Sequence, residues 1–194
     1  MAKTTTRDRH ASEKLKRGRE MRLVRLTLVC SLGLMTGFLV LNRAAAQEQN
    51  YSNSKYNYTV QFPSAVWKLI SEPDEIHQHA EFVYGDRNDG FLRIRKEALD
   101  EGLTVAEFAR RDQEQRVHFL PGYVDGKDEP FSGRLNGRTV SYEYTQAGKP
   151  MAGRTYYLQA DDHTVYALRF SGMRDKLARI RNQTDLIARS FKLK

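Results

Sequence analysis

Residues 138–171 read RTVSYEYTQAGKPMAGRTYYLQADDHTVYALRFS. The stretch is rich in aromatic and β-branched residues and is cut twice by turn formers, so three strands are expected, over residues 138–146, 154–160 and 164–171. The links Gly148-Lys149-Pro150 and Asp161-Asp162 are short enough only for antiparallel neighbours. A two-residue turn at Asp161-Asp162 sets Arg154 opposite Arg169 and Tyr156 opposite Ala167. A four-residue turn at 148–151 sets Tyr157 opposite Tyr142 and Tyr156 opposite Glu143. One face then carries Tyr142, Tyr144, Tyr157, Tyr166, Leu168 and Phe170. The other carries Glu143, Arg154, Tyr156 and Arg169. Two arginines directly opposite repel unless something negative lies between them. Glu143 is one such group, and a bound anion or an acidic side chain is the other.

Upstream, Tyr58, Val60 and Phe62 alternate with Thr59 and Gln61, which marks a strand over 56–62. Pro63-Ser64 turns the chain, and Val66-Trp67-Lys68-Leu69-Ile70 returns. Residues 80–84 and 91–96 read as a hairpin around the turn-rich 85–90. In it Leu92 and Ile94 must point inward, which puts Arg93 and Arg95 on the side of Arg154 and Arg169. Thr104 and Glu107 have capping-box spacing, so a helix should run from there to His118, ahead of Pro121-Gly122. Residues 123–132 are weakly strand-like. Downstream, Leu177, Ile180, Thr184, Ile187 and Phe191 form one stripe of a helix over 175–190. Strands interrupted by two helices indicate an α+β fold with one central antiparallel sheet.

Two ends of this pattern carry a resemblance. The strand closing in Phe62-Pro63 with Trp67 after it resembles the opening of the PsbP-like family. Val165-Tyr166-Ala167-Leu168-Arg169-Phe170, followed by a helix closing in Ile187-Ala188-Arg189-Ser190-Phe191, resembles its end. The similarity spans residues 51–194 and rests on structural motifs. It implies an α/β/α sandwich of the Mog/PsbP type, in an exported bacterial-type member. The family includes an extrinsic photosystem subunit, a nuclear-import factor that binds a small GTPase, and exported bacterial proteins. It therefore implies a scaffold that binds other proteins, with no catalytic residue to carry over and no cofactor.

The chain has 194 residues and a net charge of +8. Ten basic and three acidic residues put +7 of that in residues 1–46. Within this leader an uncharged, mostly apolar run over 26–42 follows basic residues and precedes Ala44-Ala45-Ala46. Basic, apolar and small-residue segments in that order form a signal peptide cut near Ala46. The run is also just long enough for an uncleaved membrane anchor. Met21 would begin a more compact signal. Either way residues 47–194 are expected outside the cytoplasm, at the cell surface or in a periplasm. Residues 47–55 are polar and read as a tether, leaving 56–194 as one domain.

Cys30 is the only cysteine, so the exported part has no thiol chemistry and no disulfide. It has no G-x-S-x-G, no H-E-x-x-H and no phosphate loop, and no catalytic residue is assigned. His77 and His79 share a strand face beside Asp74 and Glu75, but two ligands do not make a metal site. Residues 47–133 carry a net −6 and residues 134–194 a net +7. The last helix shows Arg174, Lys176, Arg179 and Arg181, a candidate docking face for an acidic protein or an anionic lipid surface. Export and the compensating acids argue against nucleic acid. The expected function is a non-enzymatic binding or assembly module docking on a protein at the outer face of a membrane. The alternative is a small-ligand carrier with a tyrosine-lined pocket.

Overall fold

The computed structural model describes residues 48–194, so the leader and its export signal lie outside the described residues. Three segments follow one another, two meanders that build the large sheet and a helix between them. The first is a meander of β3 (Trp67–Ser71), β4 (His79–Tyr84) and β5 (Asp86–Ala98). The second is helix α1 (Val105–Arg116). The third is a four-strand meander of β6 (Val124–Phe131), β7 (Gly137–Gln146), β8 (Lys149–Asp161) and β9 (Thr164–Met173). The two meanders join through β5 and β9, giving the order β3-β4-β5-β9-β8-β7-β6, antiparallel throughout.

Helices α2 (Arg174–Arg179) and α3 (Arg181–Ser190) follow. A small sheet in the order β1-β2-β10 joins Gln49–Asn53, Tyr58–Phe62 and Lys192–Leu193. Helices α2 and α3 and this small sheet contribute to one core with the large sheet. Val60, Leu158, Leu168, Phe170, Ile187 and Phe191 are fully excluded from water there. Helix α1 packs on the opposite face through Val105, Phe108 and Ala109, against Val140, Tyr157 and Ala167. This is an α+β fold with a central antiparallel sheet, layered as an α/β/α sandwich.

Each helix has a local cause. Thr104 accepts from the Glu107 amide, and the Glu107 carboxylate accepts from the Thr104 amide, so the expected capping box starts α1. The stripe Leu177, Ile180, Thr184, Ile187 and Phe191 is buried along its whole length. Its single expected helix is broken at Ile180 (φ −99°, ψ 13°), which lets α2 and α3 follow the twisted sheet separately. Trp67 fastens α3 by donating its indole N–H to Gln183 at 3.0 Å.

The stretch read as a tether is largely a strand. β1 pairs residue for residue with β2. Tyr51 puts its ring 5.0 Å from Phe82 and accepts from the buried Asn53 at 3.0 Å. Two apolar or buried positions among polar neighbours suffice for an edge strand once β2 is present to pair with.

The meander register also departs from expectation. Ala147 and Gly148 both have positive φ (49° and 73°) and form a two-residue turn, with Gln146 opposite Lys149. That geometry suits the right-handed twist of the flanking strands. Tyr142 therefore faces Gly153, and a Cβ at Gly153 would run into the Tyr142 ring. Between β8 and β9 the turn is Asp162-His163, and a bulge between Gln159 and Asp161 adds one residue to β8. One extra residue exchanges the faces of everything beyond it. Arg169 thus faces Thr155, while Arg154 faces Phe170 on the other side of the sheet.

Candidate functional site

The α1 side of the sheet is covered unevenly. Helix α1 lies over β7 and β8, and the β4, β5 and β9 portion carries a layer of arginines instead. Arg93 on β5 stands directly opposite Arg169 on β9. The like charges are tolerated because two buried carboxylates lie among the guanidinium groups. Glu81 on β4 takes two hydrogen bonds from Arg93, at 2.8 and 3.1 Å, and faces Arg87 at 3.4 Å and His79 at 3.1 Å. Asp112 on α1 accepts from Arg116 at 2.7 Å, from Arg169 at 2.5 Å, from Arg95 at 3.2 Å and from the Tyr157 hydroxyl at 2.8 Å.

Burial pushes the Asp112 carboxyl up. Arg169, Arg95, the Tyr157 hydrogen bond and Arg116 outweigh it, so the pKa lies below the usual carboxylate value. Burial likewise opposes the charge of Arg95 and lowers its pKa. Phe91 supports the layer from below, with the Arg87 and Arg93 guanidinium carbons 4.8 and 5.6 Å from its ring centre. Such stacking on an aromatic face is attractive and leaves the N–H edges free. The outcome is vertical charge separation. The Asp112 and Glu81 side chains are 4% and 11% exposed, whereas those of Arg93, Arg116 and Arg87 are 42%, 47% and 63% exposed. Glu97, 22% exposed, pairs with Arg95 at 3.0 Å and with Arg116 at 3.4 Å, so the five guanidinium groups meet three carboxylates and the layer keeps an excess of positive charge.

A row of rings borders this layer. His118, Tyr123, Tyr142 and Tyr144 follow one another with centroids 4.6, 5.8 and 6.0 Å apart. Burial raises the Tyr142 hydroxyl to about 12, so that ring stays neutral at ordinary pH.

The opposite side of the sheet holds a cleft of about 210 Å³ between the β7–β8 ends and α2–α3. Arg154, Arg174, Arg181, Glu143, Ser141 and Thr184 supply its polar groups, and Ala152, Gly153, Leu177 and Ala178 its apolar ones. Arg154 donates from Nη1 to Asp185 at 3.1 Å and to the Tyr156 hydroxyl at 3.3 Å. The Tyr156 hydroxyl, which also bonds Asp185, is pushed up to about 12 by burial and by that bond. Arg174 pairs with Glu143 at 3.0 Å.

Sequence reasoning grouped Arg93, Arg95, Arg154 and Arg169. The structure brings Arg93, Arg95 and Arg169 together and sends Arg154 to the cleft, because of the β8 bulge. From the docking face Arg174 and Arg181 line that same cleft, whereas Lys176 reaches Asp89 at 3.2 Å and Arg179 pairs with Asp175 at 3.6 Å on its own helix. Asp112 and Glu81 were missed. The signal for Asp112 was present: it falls four residues after Phe108, on the apolar stripe of α1, where a charge needs partners.

His77 and His79 turn to different carboxylates, Asp74 at 3.3 Å and Glu81 at 3.1 Å. Among the described residues no three His, Cys, Asp or Glu side chains gather as metal ligands, and no serine hydroxyl is hydrogen-bonded to a histidine ring. Of the tyrosines, Tyr58 and Tyr156 fill the core, Tyr58 stacking on Phe191 at 4.9 Å and Tyr156 meeting Phe131 and Phe170 edge-on at 5.0 and 5.7 Å, whereas Tyr142 reaches the cleft.

No family model matches the sequence, and no curated protein matches it. Solved structures do match in fold. LpqN, involved in cell envelope biogenesis of Mycobacterium tuberculosis, superposes with a TM-score of 0.55 at 16% identity, over 76% of this chain and 91% of that one. Cyanobacterial PsbP (CyanoP) from Synechocystis sp. PCC 6803 gives 0.56 at 14% identity, over 79% and 96%. The Ran-binding protein Mog1p of Saccharomyces cerevisiae gives 0.56 at 6%, over 76% and 96%. At such identities the likeness establishes the fold, that of the Mog1/PsbP-like α/β/α sandwich.

Proposed function

We propose that this chain is an exported, non-enzymatic docking module, an exported bacterial-type member of the PsbP-like group. Its arginine layer binds an acidic segment of a protein at the outer face of a membrane. One observation carries this reading: five guanidinium groups meet only three carboxylates, Glu81 and Asp112 buried and Glu97 partly exposed, so that the layer is cationic although the domain as a whole is nearly neutral. Arginine forks held in place by stacking and by buried acids lose little freedom when they grip a carboxylate. Bordering aromatic rings add the apolar contact that binding surfaces commonly use. The leader over 1–46 supports export. Two fold neighbours are consistent with such a role: one is involved in cell envelope biogenesis, and the other binds a protein, Ran.

The test is affinity capture from solubilised membranes, comparing the parent chain with a variant carrying Arg87→Gln, Arg93→Gln and Arg116→Gln. Glutamine keeps a donor near Glu81 and Asp112 while removing the charge. A partner held by the layer is lost from the variant and is released from the parent by salt, because exposed charge pairs are screened. Retention of the same partner by a folded variant refutes the proposal. Capture of anionic lipid alone assigns the surface to the membrane instead.

A further inference from the structure

The cleft on the other side of the sheet has no part in the docking reading. We propose that it is a separate binding site for a small organic monoanion, a carboxylate head on a short apolar body. Arginines from three elements line it: Arg154 from β8, Arg174 from the start of α2 and Arg181 from the start of α3. Their existing partners set the charge of the occupant. Arg154 is matched by Asp185 and Arg174 by Glu143, while Arg181 has no ion-pair partner among the described residues. One positive charge is left over, which a single carboxylate balances. A dianion would meet the Glu143 carboxylate on the rim.

The donors are also in reserve. A guanidinium offers five N–H groups, and the hydrogen bonds of Arg154 use only Nη1. Its side chain is held in place, 15% exposed, by Asp185 and by the buried Tyr156 hydroxyl. A fork fixed in this way pairs with a carboxylate at little entropic cost. Ala152, Gly153, Leu177 and Ala178 account for the apolar body. The small residues among them leave the space open, and Leu177 is a wall anchored in the core. The rim is shaped on purpose as well. A bulge between Asp125 and Asp128 in β6 brings Gly126 to the cleft, held by the Ser141 hydroxyl accepting from the Lys127 amide at 2.9 Å. Bulges are enriched at sheet edges, where β6 lies, as well as beside active sites. At about 210 Å³ the cleft lies below the roughly 300–1,000 Å³ of drug-sized sites, so the body is a few carbon atoms or one ring.

The experiment is calorimetric titration of the full chain with benzoate, butyrate, inorganic phosphate and uncharged benzamide at constant ionic strength, with amide chemical-shift mapping alongside. Benzoate or butyrate is expected to bind saturably and to shift Ala152, Arg181 and Thr184, with benzamide inert. Arg181→Gln should weaken binding by about tenfold or more, the loss of one charge-assisted contact, and Ala152→Leu should abolish it by filling the cleft. Arg87→Gln with Arg93→Gln, on the other face, should leave it unchanged. Absence of saturable carboxylate binding by the parent, shifts that map to the arginine layer, or equal binding by Arg181→Gln would each overturn the proposal. Phosphate binding more tightly than either carboxylate would overturn the monoanion assignment.

Discussion

Replacing Asp112 with asparagine should cost the domain about 3 kcal/mol, near the lower end of the roughly 3–5 kcal/mol for breaking a buried ion pair. The magnitude follows from what each partner can do afterwards. Arg116 is 47% exposed and turns to water. Tyr157 keeps the Gln113 side chain, at 2.6 Å. Arg95 and Arg169, only 11% and 17% exposed, cannot leave. Arg95 keeps Glu97 at 3.0 Å, but Arg169 keeps only the neutral Thr155 hydroxyl at 3.3 Å, so one buried guanidinium is left without a carboxylate. For a domain of this length about 1 kcal/mol corresponds to roughly 2–4 °C in Tm, so the midpoint should fall by about 6–12 °C.

Urea unfolding, followed by the fluorescence of the buried Trp67, measures the loss directly, since it is the chain's one tryptophan. The pH dependence supplies a second check. The folded-state pKa of Asp112 is depressed, so its contribution is full above the unfolded value of about 3.9 and fades as the pH falls through the folded value. Parent and D112N should therefore converge below about pH 4. Adding Arg169→Met to D112N should restore part of the loss by removing one stranded charge. A D112N chain within about 0.5 kcal/mol of the parent at pH 7, the range of an ordinary surface change, refutes the reasoning.

Two further outcomes use the same unfolding assay. Thr104→Ala removes the hydroxyl that accepts from the Glu107 amide at the start of α1, while the backbone N–H at 104 still donates to the Glu107 carboxylate, and should cost about 1 kcal/mol. Ala147→Gly relieves a left-handed alanine (φ 49°) in the β7–β8 turn and should stabilise by roughly 0.5–1 kcal/mol. A lower urea midpoint for the glycine variant would contradict the turn geometry.

Most of the layering was legible because it depends on periodicity. The alternation at 58–62 and the stripe from Leu177 to Phe191 each bury the residues that the pattern selects. What escaped depends on single residues that periodicity does not encode. A strand such as β1 is stabilised by a neighbour, and its polar sequence carries little signal of its own. The bulge in β8 is one residue long, yet it decides that Arg154 and Arg169 lie on opposite faces, and with them the composition of both candidate sites. Buried acids are legible only as violations: Asp112 and Gln113 occupy the inward stripe of α1, and the arginines that compensate Asp112 are 17 and 57 positions away from it in Arg95 and Arg169.

That separation has a kinetic consequence. Within the large sheet every ladder but one is a hairpin between strands consecutive in the chain; the exception is β5 with β9. Local ladders close early and distant ones late, since loop-closure entropy must be overcome first. The β5–β9 ladder is also what aligns Arg93 with Arg169, and Asp112, on the helix that crosses between the meanders, holds one arginine from each half. A chain with both meanders formed but not yet zipped has the Glu81 cluster of β4 and β5 but lacks Arg169 and the link through Asp112. On the proposed reading the complete docking surface therefore arises only when β5 meets β9, and an acidic partner bound there would act as a clamp on the slowest-forming seam of the molecule.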